Sequence, residues 1–161
     1  MQEDSTDTAS SVAFMDDYGT LLRVESMKLP ADRPDILSPH NPQRVDLVFD
    51  RSIMPNMFRA ASPAASVGWR EHLNAAGTDA LFVVVNIPLG STLVEQDDGT
   101  SAHRLDSTRG VLMFMKDPYF YILQYQAPHL ELKGAAPRPL AEQSEDLLKY
   151  LKNVVDGMTF P

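Results

Sequence analysis

The chain is short, acidic and free of cysteine, and these properties exclude several classes of protein. Its 161 residues are enough for one domain with a hydrophobic core, and 43% of them are hydrophobic, as in globular proteins. The formal net charge of −8 argues against binding to nucleic-acid phosphates or anionic membranes, which require clustered cations. The absence of cysteine excludes disulfides, thiolate metal sites and a cysteine nucleophile.

The first eleven residues, MQEDSTDTASS, are polar and acidic. They predict a disordered lead-in or tether before a single globular domain at residues 12–161. We expect a cytoplasmic protein if Met1 is the native start, and a periplasmic or lipid-anchored protein if a signal peptide was removed. No apolar run reaches the roughly 18 residues that a membrane-spanning helix needs.

Two segments in the first third of the chain are predicted as strands. Residues 18–29 indicate a strand with an irregularity. Residues 43–52 indicate a half-buried strand, because apolar and charged residues alternate there, the apolar ones being Val45, Leu47 and Phe49. The segment 30–42 between them holds four prolines and is predicted as a loop.

A helix is predicted at 62–76. Ser62 followed by Pro63 is typical of a helix start, and Gly77 is typical of a helix end. The apolar residues between them share one face of a helix: Ala65, Trp69, Leu73 and Ala76.

The second half of the chain predicts strands followed by one long helix. The apolar segment 81–89 indicates a central strand covered on both faces, and 91–107 indicates a hairpin with its turn at 97–99. Residues 110–128 predict two further strands that are apolar on both faces, before a loop at 129–139. Apolar residues at helical spacing then predict a helix at 140–156.

Together these elements predict an α+β domain with a mainly antiparallel sheet of five to seven strands. We expect the long helix at 140–156 to pack along one face of this sheet. We expect the helix at 62–76 to cover the other face or an edge.

The last fifty residues resemble the end of the PsbP/Mog1-like superfamily, which includes the DcrB-like bacterial proteins. The matching text is GVLMFMKDPYFYILQYQAP followed by LLKYLKNVVDGMTF, with Phe160 in an aromatic tail. The resemblance covers about a third of the chain. It implies an αβα sandwich and a non-enzymatic binding, adaptor or chaperone role, and it carries over no site residues.

Methionine and aromatic side chains are the candidates for a binding surface. They are Met54, Met57, Phe58, Tyr119, Tyr121 and Tyr125. Flexible methionine beside rigid aromatic rings suits an adaptable apolar surface, although the same side chains also suit the second covered face of the sheet. The expected partner is another protein, including a second copy of this chain, or an apolar ligand.

The alternative function is a small hydrolase-like enzyme that uses His103, Asp106 and Ser107. Alternation along one strand separates His103 from Asp106, which argues against this pairing. The four histidines have no metal-ligand spacing, and no cofactor motif is present, so neither a metal nor a cofactor is predicted. A non-catalytic binding or accessory protein is the favoured interpretation.

Overall fold

In this computed structural model, a seven-stranded antiparallel sheet carries a helical layer on each face. The structure describes residues 2–6, 8–16, 19–29, 42–94, 102–128 and 138–161. The strands are β1 (Gln2–Ser5), β2 (Ala9–Met15), β3 (Leu21–Lys28), β4 (Ser66–Ala75), β5 (Thr78–Val94), β6 (Ala102–Lys116) and β7 (Tyr119–Pro128). Their order across the sheet is β1-β2-β3-β7-β6-β5-β4. The predicted α+β fold with a mainly antiparallel sheet is confirmed.

Two helical segments cover the sheet. α1 (Pro42–Val48) continues directly into a π-helical segment, Phe49–Arg59, and we call the two together the first helical layer. α2 (Leu140–Asp156) packs on the opposite face, so the predicted helix at 140–156 is confirmed. Its buried apolar residues repeat every four positions and form one helix face: Leu147, Leu151 and Val155.

The central strands β5, β6 and β7 carry apolar side chains on both faces, and each face has its own core. The core under the first helical layer includes Phe49, Phe58, Val83, Val111 and Met113. The core under α2 includes Phe82, Leu112, Leu123, Leu147 and Leu151. Full burial of one such side chain stabilises the fold by about 1.5–3 kcal/mol. The strands at 110–128, apolar on both faces, are therefore covered by elements of this same chain.

The predicted helix at 62–76 is wrong, because most of this segment is the edge strand β4. The spacing of four residues between Trp69 and Leu73 puts two side chains on one face of a helix, but every even spacing does the same in a strand. The expected helix stop at Gly77 is instead part of the tight turn at 76–77, whose φ angles of 54° and 77° join β4 to β5. The second cover of the sheet is the first helical layer.

The predicted strand at 43–52 is wrong for the converse reason. These residues belong to the first helical layer, which buries Val45, Phe49 and Ile53 at a spacing of four. Leu47, which a strand would place on the same face as Val45, is 48% exposed. Val45 and Phe49 are four residues apart, so they share one face both in a helix and in a strand. The helical conformation extends this buried face to Ile53.

Strands β1 and β2 occupy much of residues 1–11, so the predicted lack of regular structure there is wrong for the strand residues. β2 pairs with β3 in continuous register, from Ala9 opposite Met27 to Met15 opposite Leu21. Such a ladder is made by backbone groups, so polar side chains at exposed or half-buried positions do not prevent it. Polar composition alone did not reveal these strands.

The remaining predicted strands are confirmed, since they fall in β3, β5, β6 and β7: 18–29, 81–89 and 110–128. The predicted loops and turn at 30–42, 97–99 and 129–139 lie almost wholly outside the described residues. Among the described helices, none is both long and apolar enough to cross a bilayer.

Candidate functional site

The sheet divides the six side chains predicted as a binding surface. Met54, Met57 and Phe58 belong to the first helical layer, where Met54 and Phe58 are 3% and 2% exposed and Met57 is partly buried. The Arg109 guanidinium lies over the Phe58 ring, 5.4 Å from its centroid. Two of these three side chains therefore belong to the core.

The three tyrosines lie on the opposite face, beside α2. Tyr121 is buried, stacks on Phe114 with ring centroids 5.3 Å apart, and meets Phe160 edge-on at 5.3 Å. Tyr119 is partly buried, with its ring centroid 6.2 Å from that of Tyr121. Tyr125 is also partly buried, but it lines a recess that opens to solvent.

This recess lies between α2 and the strands β2, β3 and β7. We call it the aromatic recess, and it is lined by Phe14, Met15, Asp16, Thr20, Leu22, Tyr125 and Tyr150. Its volume of about 400 Å³ falls in the range of small-molecule sites, about 300–1,000 Å³. Phe14, Met15 and Tyr150 are 45%, 76% and 39% exposed, so they present large apolar surface to solvent.

Strand register and one helix position build the aromatic recess. Phe14 lies opposite Leu22, and Leu22 lies opposite Tyr125, so the three side chains form a row across β2, β3 and β7. The Tyr150 ring of α2 stacks on Tyr125, with centroids 3.8 Å apart and planes inclined by 17°. Such a pair contributes about 0.5–1.5 kcal/mol beyond the area it buries, which fixes α2 against the row.

A carboxylate is held at the rim of the recess by the turn from β2 to β3. The Thr20 backbone N–H donates to Asp16 Oδ1 at 2.8 Å, and the Asp16 N–H donates to the Thr20 carbonyl at 3.2 Å. Burial raises the pKa of Tyr125 above its ordinary value, and neighbouring Tyr150 and Asp16 raise it further. The recess thus combines aromatic rings with nearby negative charge.

A polar cluster occupies the other face of the same strands. Arg109 donates from Nε and Nη2 to Gln126 Oε1 at 3.0 and 2.6 Å, and from Nη1 to Gln124 Oε1 at 3.2 Å. Burial, and then the charge of Arg23, lower the pKa of Arg109 to about 10. Glutamine oxygens thus accept three hydrogen bonds from this partly buried guanidinium without neutralising its charge.

Glu25 connects this cluster to β3. Gln124 Nε2 donates to Glu25 Oε1 at 3.2 Å, and Arg23 Nε lies 2.6 Å from the same oxygen as an ion pair without hydrogen-bond geometry. Burial raises the pKa of Glu25, while Arg23 and Gln124 partly offset that rise. Arg23 and Glu25 line a smaller cavity of about 210 Å³. The cluster joins β3 to the central strands.

Two members of the alternative hydrolase-like site serve the fold of β5 and β6. Asp106 Oδ1 accepts a hydrogen bond from the Leu89 backbone N–H at 2.9 Å, beside a bulge in β5. Ser107 is 1% exposed, and a Cβ on Gly90 would lie 2.5 Å from its Oγ. Because successive strand residues face opposite sides, Asp106 and Ser107 point apart. The His103 side chain lies outside the described residues.

In the part of the chain that the structure describes, no three side chains of metal-binding type cluster together.

Comparisons with known proteins assign no family. No protein-family model matches the chain, and no curated protein matches it in sequence. Among solved structures, the chain is similar to PA94 from Pseudomonas aeruginosa, a protein of unknown function. The two share 11% sequence identity and a TM-score of 0.42, over 84% of this chain and 87% of that chain.

Sequence reasoning missed most of the aromatic recess. Phe14 and Met15 form an apolar pair next to a polar, acidic segment, which is a signal for an exposed apolar site. Tyr150 lies outside the buried apolar row of α2, and an aromatic ring at such a position is a second signal. Neither signal reveals that the two regions meet, because the pairing of β2, β3 and β7 brings them together.

Proposed function

We propose that this protein is a non-catalytic binding protein that takes a small ligand in the aromatic recess. The observation that carries the proposal is the concentration of exposed apolar side chains at one concave site. The described residues include eight exposed large hydrophobic side chains, and Phe14, Met15 and Tyr150 of these eight line the recess. Exposed apolar surface gathered in one place is typical of binding sites, whereas scattered single residues are ordinary.

The contacts that build the recess also support binding. The Tyr125–Tyr150 stack and the Phe14–Leu22–Tyr125 row fix the recess through backbone ladders and one helix contact. A preformed site loses little conformational entropy when a ligand enters, so more of the contact energy appears as affinity.

The test uses two probes of nearly equal shape, neutral 3,3-dimethyl-1-butanol and cationic choline. Backbone amide shifts are followed by NMR during titration of the full chain. We expect saturable shifts from at least one probe at Thr20, Leu22, Tyr125 and Tyr150, and the probe is expected to be recovered chemically unchanged.

A double variant, Phe14→Ser with Tyr150→Ser, removes the apolar walls and is expected to abolish the shifts. Leu47→Ser changes a side chain of the first helical layer that is 48% exposed, and it is expected to leave binding intact. Failure of both probes to bind, or saturable shifts confined to other parts of the chain, would overturn the proposal.

A further inference from the structure

Three features of the aromatic recess concern charge rather than apolar area. The Asp16 carboxylate is held at its rim, aromatic rings line its wall, and no Lys or Arg is among the described residues that line it. The whole chain has a formal net charge of −8, and five of its acidic residues fall in residues 1–17 without any Lys or Arg. An excess of one sign of charge attracts ligands of the opposite sign over long range.

From these features we infer that the ligand of the aromatic recess is a small organic cation with an alkylated ammonium group. This inference rests on the proposed binding function and names its ligand class. A cation within about 6 Å of a ring centroid is attracted by the electrons on the ring face, and quaternary ammonium ligands are recognised in this way. Phe14 and Tyr150 offer exposed ring surface for such contacts.

The composition of the walls favours an alkylated ammonium over a primary one. A primary ammonium group has three N–H donors that need acceptors when water is removed. Phe14, Met15 and Leu22 are apolar apart from the weak acceptor of the thioether, so the side-chain oxygens of the lining are confined to Asp16, Thr20 and the two tyrosines, and Asp16 Oδ1 already accepts from Thr20. An alkylated ammonium exposes methyl groups, so it loses less hydrogen bonding on entering such a site.

The Asp16 carboxylate acts electrostatically on Tyr125, which also lines the recess. Burial raises the pKa of the Tyr125 hydroxyl most, Tyr150 raises it further, and Asp16 has the smallest of the three effects. A bound cation at the same place would have the opposite effect on Tyr125.

The decisive measurement compares dissociation constants of choline and 3,3-dimethyl-1-butanol, which differ mainly in the positive charge. We expect choline to bind at least about fivefold more tightly, as one or two cation–π contacts predict, and added salt to reduce the difference. Equal affinity of the two probes would overturn the cation assignment but leave the proposed binding function standing. Binding of neither probe would overturn both.

Two conservative variants test whether the Asp16 carboxylate and the Phe14 ring cause the preference for choline over 3,3-dimethyl-1-butanol. Asp16→Asn keeps an oxygen for the Thr20 N–H and removes the charge, and Phe14→Leu keeps an apolar wall and removes the ring. Each is expected to weaken choline by about threefold or more while changing 3,3-dimethyl-1-butanol little. Glu145→Gln removes an exposed carboxylate of α2 that does not line the recess, and it serves as the charge control. If both recess variants bind the two probes as the wild type does, the assignment is wrong.

Discussion

The central strands of the sheet and the strands at one of its edges differ in how fully other elements cover them. The central strands β5–β7 have apolar layers on both faces, and five consecutive residues of β5, Leu81 to Val85, are fully buried. Strands β1–β3, which we call the wing, have half-buried or exposed side chains along β2 and β3. The wing and the centre nevertheless form one continuous hydrogen-bonded sheet.

This difference shows how one sheet separates stability from recognition. The centre supplies burial, which dominates the free energy of folding. The wing supplies a platform whose incomplete cover leaves the aromatic recess open at the border with α2. The three predictions below test this division.

The largest expected effect comes from a matched pair of leucines on the α2 face. Leu112→Ala in β6 removes a side chain with 0% exposure and is expected to lower the free energy of unfolding by about 3 kcal/mol through lost burial and a cavity. Leu22→Ala in β3 removes a half-buried side chain and is expected to cost about 1 kcal/mol. Urea denaturation measures both, and equal losses would contradict the division between centre and wing.

A smaller effect is expected where the wing is joined to the centre. Gln126 accepts two hydrogen bonds from Arg109 and donates to the Gly19 and Gly90 carbonyls at 3.2 and 3.4 Å. Gln126→Leu leaves the partly buried Arg109 guanidinium without the acceptor Oε1 of Gln126 and is expected to lower the free energy of unfolding by about 2 kcal/mol.

Gln126→Glu is the matched variant for this junction, because it keeps the acceptor oxygen Oε1 and gives Arg109 a counter-charge, while it loses, as Gln126→Leu does, the Nε2 donor to the Gly19 and Gly90 carbonyls. We expect it to unfold at a higher urea concentration than Gln126→Leu. If the two variants unfold together, the hydrogen bonds to Arg109 do not stabilise the junction.

The smallest expected effect is a pH dependence of the free energy of unfolding, caused by Glu25 in the wing. Burial raises the pKa of Glu25 above 4.5, so between 4.5 and the folded-state value the folded protein binds more protons than the unfolded chain. Wild type should therefore gain stability relative to Glu25→Gln as pH falls through that window, with the gain complete below 4.5. Unfolding free energies at a series of pH values measure this, and a gain in the opposite direction would show that the ion pair with Arg23 outweighs burial.

The sequence predicted the elements whose pattern fits only one period. α2 repeats its apolar residues over several turns, and the apolar run in β5 has strand length and β-branched side chains, so both were predicted at the right positions. Residues 43–52 were predicted as a strand and are helical, whereas residues 62–76 were predicted as a helix and mostly form a strand. Each segment contains apolar residues four apart, such as Val45 and Phe49 or Trp69 and Leu73, and this spacing fits one face of a helix and one face of a strand equally well.

The candidate site was predicted only at Tyr125. The other five candidate side chains were chosen by residue type, and residue type does not reveal which of two covered faces a side chain enters. Phe14, Leu22 and Tyr150 come from separate elements, and no local pattern indicates that they lie beside Tyr125.

By itself, therefore, the sequence determined that this acidic chain forms an α+β domain with an antiparallel sheet and a long carboxyl-terminal helix, because composition and unambiguous periodicity are local properties. Only the tertiary structure decided which helix covers the second face, that β1 and β2 extend the sheet, and that an aromatic recess opens beside α2. These depend on strand order and register, and both are set by contacts between residues far apart in the chain.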